Sequence, residues 1–496
     1  MLRKINKNMR NLSFLLLLFL AVAWTKPTPK PNIIFIYADD LGYNELGCYG
    51  QKKILTPNLD QLASEGMKFT QFYTSTPVCA PARCALLTGK HTGHTYIRGN
   101  YELGGFADSL EGGQMPLHPN AFTVGHLMKK AGYQTACIGK WGLGMANTSG
   151  NPNDQGFDYF YGYLDQKQAH NYYPTHLWEN GQWDKLNNHV IDVYRKLKPE
   201  TATDEEFAYF RGKEYAVDKL GEKAQKFIKD NQKQPFFLYL PYTTPHISLQ
   251  APEAAVKEYI GKFDEKPYYG QNGYASTPYP YSTYAAMITY MDKQIGDIRR
   301  LLKDLNLDEN TIIMFSSDNG ATFAGGVNTK YFESVGNLKG LKMEVYEGGI
   351  REPLIAYWKN KIPKGTTTNQ VAIQYDLMAT LGEIIGEKDL KTDGVSFLPT
   401  LMGKENQQKK HDFFYWEYPE NGGQIAIRIG NWKGVKMDMK KNKNAKWELY
   451  DLEKDVSETT NLAAQNPEII KRLDEILKQE HTPAHVKDWE FVMPKF

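Results

Sequence analysis

Cysteine is scarce in this chain: four residues, Cys48, Cys79, Cys84 and Cys137, among 496. That excludes a disulfide-built scaffold, so stability has to come from a hydrophobic core, which a chain of this length can supply. Net charge is scarce as well. Setting aside Arg3, Lys4, Lys7 and Arg10 leaves the remaining lysines and arginines two short of the 57 acids. A near-neutral chain has no electrostatic footprint for duplex nucleic acid, and none is expected as a partner. Any anionic ligand must then be drawn in locally, by a cation or a few placed bases. A second long apolar run is also missing. The only one, Phe14 to Trp24, follows a basic start and carries small residues at Ala21 and Ala23. This is the layout of a secretory signal at 1–23, and it falls short of the roughly 20 apolar residues that a membrane span needs. The expectation is an exported protein, periplasmic or secreted, with no integral membrane segment after cleavage; retention as an uncleaved anchor is the alternative.

What is present is a globular composition, 41% apolar and 23% charged, with four apolar runs that each stop at polar residues. Asn32 to Ala38 runs into Asp39-Asp40, and Gln134 to Ile138 into Gly139-Lys140. Pro235 to Leu240 leads to Pro245-His246, and Thr311 to Phe315 to Asp318-Asn319-Gly320. Helical patterns lie between them, at Asn120 to Ala131 and at Tyr284 to Leu305. Alternating strands and helices predict an α/β fold: a large mixed, mostly parallel sheet sandwiched by helices. Ligands bind beyond the carboxyl ends of such strands, so parallel pairing would gather all four polar stops at one edge.

Beyond Lys391 the pattern shifts to short strands at Phe413–Tyr418, Gln424–Ile429, Trp432–Met437 and Trp447–Leu452, with a helix after Asn466-Pro467. The division expected is 30–390 for the main domain and 391–496 for a small antiparallel sheet plus helix. Asp165 to Trp183 and Lys266 to Ser282 read as long loops.

Asp39, Asp40, Asp318 and Asn319 make an all-oxygen donor set. Hard oxygen donors suit calcium or magnesium, and calcium better tolerates an irregular cluster. Cys48, Cys84 and Cys137 read as small buried hydrophobes, with one disulfide as an option. Cys79 differs by context, in Pro77-Val-Cys79-Ala-Pro81-Ala-Arg83 followed by Leu87-Thr88-Gly89.

Here the sequence resembles the type I sulfatases of the alkaline phosphatase superfamily. Their Cys-x-Pro-x-Arg signature is accompanied, in the family's order, by Asp39-Asp40-Leu-Gly42, Gly139-Lys-Trp-Gly142, Thr244-Pro-His246, Ser317-Asp-Asn-Gly320, Gly340-Leu-Lys342, Tyr346-Glu-Gly-Gly349 and Arg351. Trp432-Lys433 and Leu449 to Leu452 look like its C-terminal subdomain. The resemblance implies a sulfuric ester hydrolase that releases inorganic sulfate, on a glycan saccharide of galactose or N-acetylgalactosamine type. Cys79 would be converted to formylglycine by a maturing enzyme, and one calcium ion would be bound by Asp39, Asp40, Asp318, Asn319 and modified Cys79. Arg83 would hold the hydrated aldehyde, Lys140 and Lys342 would neutralise the sulfate oxygens, and His246 would be the general acid. The family's second histidine is replaced by Gly142, which leaves the base for sulfate release to Lys140 or a pocket histidine. His94, Arg98, Asn100, His170 and Glu344 are candidate sugar contacts. Two rivals stay open: a phosphoryl or phosphonyl ester hydrolase on the same fold, and an inactive binder of sulfated glycans.

Overall fold

The computed structural model describes residues 29–492 except 105, 108, 109 and 388; the signal at 1–23 lies outside the described residues. The main sheet has eleven strands. In chain order they include β1 Asn32–Asp39, β2 Met67–Tyr73, β3 Gln134–Lys140, β4 Tyr159–Tyr163, β5 His176–Glu179, β6 Gln182–Lys185, β7 Phe236–Pro245, β8 Thr311–Ser317 and β9 Arg351–Trp358. Beyond β2 lies β10, Thr366–Thr368, and the spatial order is β10-β2-β9-β8-β1-β7-β3-β4-β5-β6, with β11, Ala372–Ile373, also paired to β2.

The centre is parallel as expected: β1 pairs with β8 and β7, and β7 with β3. Each of these strands is buried almost throughout. That is why they read as continuous apolar runs rather than alternating ones. Successive residues of β1 feed opposite cores. Ile34 and Ile36 meet helices α1 Pro57–Glu65, α4 Ala216–Asp230 and α5 Pro280–Asp304, while Ile33 and Phe35 meet α2 Cys79–Thr88, α3 Val124–Lys130 and α6 Asp376–Ile385. The result is a helix-sheet-helix sandwich, as predicted.

The segment Asp165 to Trp183 departs from the loop expected of it, because β5 and part of β6 fall within it. Asn180 and Gly181, both at positive φ (48° and 80°), form their turn, and an Asn-Gly pair is the usual means of closing so tight a hairpin. All four cysteines are free thiols, so the optional disulfide is not formed.

The C-terminal sheet is antiparallel, β12 Phe414–Tyr418, β13 Gln424–Ile429, β14 Trp432–Lys436 and β15 Glu448–Asp451, followed by α7 Pro467–Glu480. One face, with Trp416, Ala426 and Val435, packs on Tyr73, Val345 and Tyr375 of the main body. The other, with Tyr415, Ile425 and Leu449, packs on Leu473 and Ile476 of α7. No helix among the described residues is long and apolar enough to cross a membrane.

Candidate active site

The ends of β1, β3, β7 and β8 converge as the strand pairing requires. At the end of β1 the register against β7 shifts between Tyr37 and Asp39, and Asp40 takes a left-handed φ of 64°. This local break lets two consecutive carboxylates enter one site. Strand β8 is tied across by the Asp318 N–H to the Ala38 carbonyl at 3.0 Å, the Asp40 N–H to Asp318 Oδ1 at 3.0 Å and the Leu41 N–H to Ser317 Oγ at 3.0 Å. Asn319 Nδ2 donates to Asp40 Oδ1 at 2.7 Å and to the Gly320 carbonyl at 3.0 Å, which fixes the amide and turns Oδ1 inward.

Three bases face three acids. Lys140 Nζ lies 2.6 Å from Asp39 Oδ2, Lys342 Nζ 2.7 Å from Asp40 Oδ2, and Arg83 Nη2 2.8 Å from Asp318 Oδ2. Even so, the acids are not fully served. Asp39 Oδ1 and Asn319 Oδ1 are buried and have no hydrogen-bond partner among the described residues. Arg83 stands 3.7 Å from that Asp39 oxygen. Burial, then the charge of Asp39, pushes Asp318 upward, whereas Asp39, which burial alone would raise, is held far below the carboxylate range, led by Lys140. Two orphaned oxygens among buried carboxylates fit a hard divalent cation. Asp39, Asp40, Cys79 and His246 each offer a ligand atom within 4.8 Å of one another.

Cys79 is the first residue of α2, at the positive end of the helix. Val78 offers no side-chain cap, and Asn100 Oδ1 takes the Ala80 N–H instead at 3.0 Å. Gly89, left-handed at φ 66°, ends the helix. The Cys79 sulfur lies 3.7 Å from Lys342 Nζ and 4.0 Å from Asp40 Oδ1. Burial outweighs both lysines and raises the thiol well above its ordinary value, so the side chain is a protonated sulfur among hard oxygens. Arg83 Nη1 also donates to the Lys140 carbonyl at 2.6 Å, locking β3 to α2.

His246 Nδ1 sits 2.5 Å from the Ile247 carbonyl, which can only accept, so Nδ1 carries the proton and Nε2 faces Asp40 Oδ2 at 3.5 Å. His170 stacks on it, centroids 4.9 Å apart at 9°, with Nδ1 2.7 Å from Tyr194 Oη. Burial, then neighbouring charge, lowers both imidazoles well below the ordinary value.

The other expected sugar contacts divide. Asn100 stays beside the start of α2. Arg98 does not offer itself to a ligand: its N–H groups go to Thr95, Gly93, Thr482 and Glu417. His94 pairs with Asp393 at 2.9 Å beyond the far end of α2, alongside His91 and Glu480. His91 Nδ1 accepts the Gly93 N–H, which leaves Nε2 as the proton-bearing nitrogen toward Glu480 at 3.2 Å. This group is a hydrogen-bonded latch on α7 rather than a metal site. Glu344 braces the Lys342 loop by accepting the Leu341 N–H at 3.2 Å.

Four further side chains support the site without a local sequence signal. Gln374 accepts from Tyr37 Oη and donates to the Ser317 carbonyl; Thr74 Oγ1 donates to the Asp318 carbonyl; Tyr172 Oη donates to the carbonyls of Thr243 and His246. Glu420, in the connection between β12 and β13, lies close to Gly99, and burial raises it to about 7.

This sheet and its charged edge define an enzyme of the alkaline phosphatase-like fold. The sulfatase family model matches residues 31–387, and that of the N-sulphoglucosamine sulphohydrolase C-terminal region matches 341–483. An N-acetylgalactosamine-6-O-sulfatase of Bacteroides thetaiotaomicron is 28% identical over 91% of this chain and 93% of its own. Human arylsulfatase A is 30% identical over 94% and 90%. The crystal structure of Ps i-CgsB in complex with k-i-k-neocarrahexaose superposes with a TM-score of 0.74 at 28% identity, covering 91% and 94%. The chain belongs to the sulfatase family and is a sulfuric ester hydrolase.

Proposed function

We propose that this sulfatase removes sulfate from a saccharide of a sulfated glycan after export. The carrying observation is Cys79: a thiol that burial keeps protonated, at a helix N-terminus, in contact with Lys342 and Asp40. As sulfur it is a poor nucleophile and a poor partner for a hard cation, so its surroundings suit an oxygen. Conversion of Cys79 to formylglycine by a maturing enzyme supplies, as the hydrate, an oxygen nucleophile. Calcium, held by Asp39, Asp40, Asp318, Asn319 and the modified residue, supplies positive charge against the sulfate oxygens.

The chain's own residues do the rest. Arg83 orients residue 79 while pinned to Asp318 and the Lys140 carbonyl. Lys140 and Lys342 remain charged, because their carboxylates outweigh the burial that would neutralise them, and they stabilise charge building on sulfate. His246 exchanges protons only through Nε2. Burial, its largest influence, and the two lysines both disfavour the imidazolium; the negative charge of a bound sulfate opposes the lysines, and the protonated ring gives its proton to the leaving oxygen through Nε2. A lysine held charged cannot serve as the base that Gly142 leaves open, whereas neutral His170 can. His170 and Asn100 border the ring-binding side. The name of the Bacteroides relative and the oligosaccharide in Ps i-CgsB support a galactose or N-acetylgalactosamine type substrate. A boundary near residue 390 divides the chain into a domain whose helix α2 begins with the nucleophile and a smaller one whose sheet packs behind Lys342.

The test is peptide mass spectrometry across Cys79 from the native host, with rates on an aryl sulfate and an aryl phosphate. Aldehyde at residue 79 and a strong preference for sulfate are expected; an intact thiol with full sulfate release, or preference for phosphate, defeats the reading.

A further inference from the structure

Lys342 reaches the centre from a loop; its own N–H donates to the Ala321 carbonyl at 3.2 Å, and beyond Lys342 the C-terminal sheet adds a second grip on that loop. Met343, the next residue, is left-handed at φ 72°, a conformation a non-glycine residue keeps only when its surroundings hold it. Its N–H donates to the Pro77 carbonyl at 2.9 Å, two residues before Cys79. Its carbonyl accepts from Asn421 Nδ2 at 3.0 Å and from Gln424 Nε2 at 2.9 Å, both in the β12–β13 connection or at its end. Gln424 then turns Oε1 to the Val345 N–H at 3.0 Å. One fully buried amide thus holds the backbone at Met343 and Val345, as a neighbouring strand would, and water cannot replace those bonds.

We propose that Gln424, assisted by Asn421, is a positioning residue for Lys342: the C-terminal sheet sets the reach of the ammonium to Asp40 and residue 79. This rests on the role given to Lys342 above. Without the two amides, the N–H bond to Pro77 is left to hold Met343, its left-handed conformation is less firmly kept, and the lysine beside it loses register on the nucleophile. Misplacement on the order of 1 Å is enough to cost a large part of turnover. Lys342 bears on sulfate in the transition state, so the loss should fall on kcat more than on KM.

The experiment is a double-mutant cycle on an aryl sulfate, with Gln424→Ala and Asn421→Gly each made alone and with Lys342→Ala. Rates are normalised to the aldehyde content of residue 79. Gln424→Ala should lower kcat about 10- to 50-fold with KM changed less than about threefold, and Asn421→Gly about threefold. Each double variant should lie within about twofold of Lys342→Ala alone, because nothing is left to position. Asn421 is exposed at φ 46°, where glycine is at ease, so this arm keeps the cycle decisive if Gln424→Ala does not fold. Losses that multiply in the double variants, or folded Gln424→Ala with unaltered kcat, overturn the positioning role. Wild-type protein that carries the aldehyde yet releases no sulfate overturns the function itself, and the positioning role with it.

Discussion

His246 and His170 lie face to face 4.9 Å apart, yet their hydrogen bonds give them different work. The His246 proton is anchored on the Ile247 carbonyl, whereas the His170 ring hangs on Tyr194, itself on the exposed rim. His246→Ala should reduce turnover of sugar sulfates about 100-fold or more, but much less on aryl esters whose leaving groups need no proton. His170→Ala, as loss of the base for sulfate release, should depress kcat on both classes alike; a loss confined to glycan substrates would make it a sugar contact instead. Glu352 gives a second prediction, on stability. It is fully buried, and neither carboxyl oxygen finds a partner among the described residues. Burial first, then Asp318, Asp40 and Glu45, raises it well above its ordinary 4.5. The fold therefore favours the protonated acid, and this contribution is complete below pH 4.5 and lost as pH rises through the folded value. Glu352→Gln cannot ionise, so its melting temperature relative to wild type should climb from pH 5 to pH 8 in calcium-containing buffer. A constant difference would mean that Glu352 does not titrate with folding.

Among elements, the turn after β3 shows why Gly142 is more than a missing histidine. Its φ is 71°, and a β-carbon there would stand 2.8 Å from Gln166 Cγ. That glutamine is held by Gln114 at 2.7 Å. The space of the absent side chain is therefore already filled. Gly142→His alone should cost about 1–3 kcal/mol through backbone strain and overpacking, and should lower turnover. Adding Gln166→Ala should recover part of both, read by thermal melts and aryl sulfate kinetics; no recovery would locate the conflict elsewhere. The same scale shows what the sequence could and could not tell. Strands β1, β3, β7 and β8 were legible because burial on both faces makes them unbroken apolar runs, and their polar stops carried the acids, Lys140 and His246 with them. The β5–β6 hairpin was not, since beyond His176 and Leu177 its residues are partly or fully exposed and make no apolar run, and only Asn180-Gly181 marks the turn. His94 and Arg98 follow α2 closely in sequence, but their partners Asp393, Glu480, Glu417 and Thr482 come from hundreds of residues later. No local pattern records such a pairing, and Gln374, Glu420 and Gln424 were hidden for the same reason.

At the scale of the whole molecule, the proposed cation site is the joint at which the sheet's central strands meet. Asp39 ends β1 and Asp40 follows it, Asp318 and Asn319 follow β8, and α2 docks there through Arg83. Lys342 brings in the loop gripped by the C-terminal sheet. A ligand bound there only in the folded state adds RT ln(1 + [L]/Kd) to stability, about 4 kcal/mol at a thousandfold excess over Kd. Its removal leaves the Asp39 and Asn319 oxygens buried and unpaired, a cost that falls on the native state alone. Chelation should therefore lower the melting temperature and abolish sulfate release together, with both restored by calcium and less completely by magnesium, whose stricter octahedral demand suits this irregular set poorly. Asp318→Asn keeps the shape but removes one charge, so it should raise the calcium concentration at which the melting temperature is half-recovered. Melting unaffected by chelator or calcium, in protein shown by elemental analysis to be metal-free, would mean that the three bases already balance the acids and that the orphaned oxygens await something other than a cation.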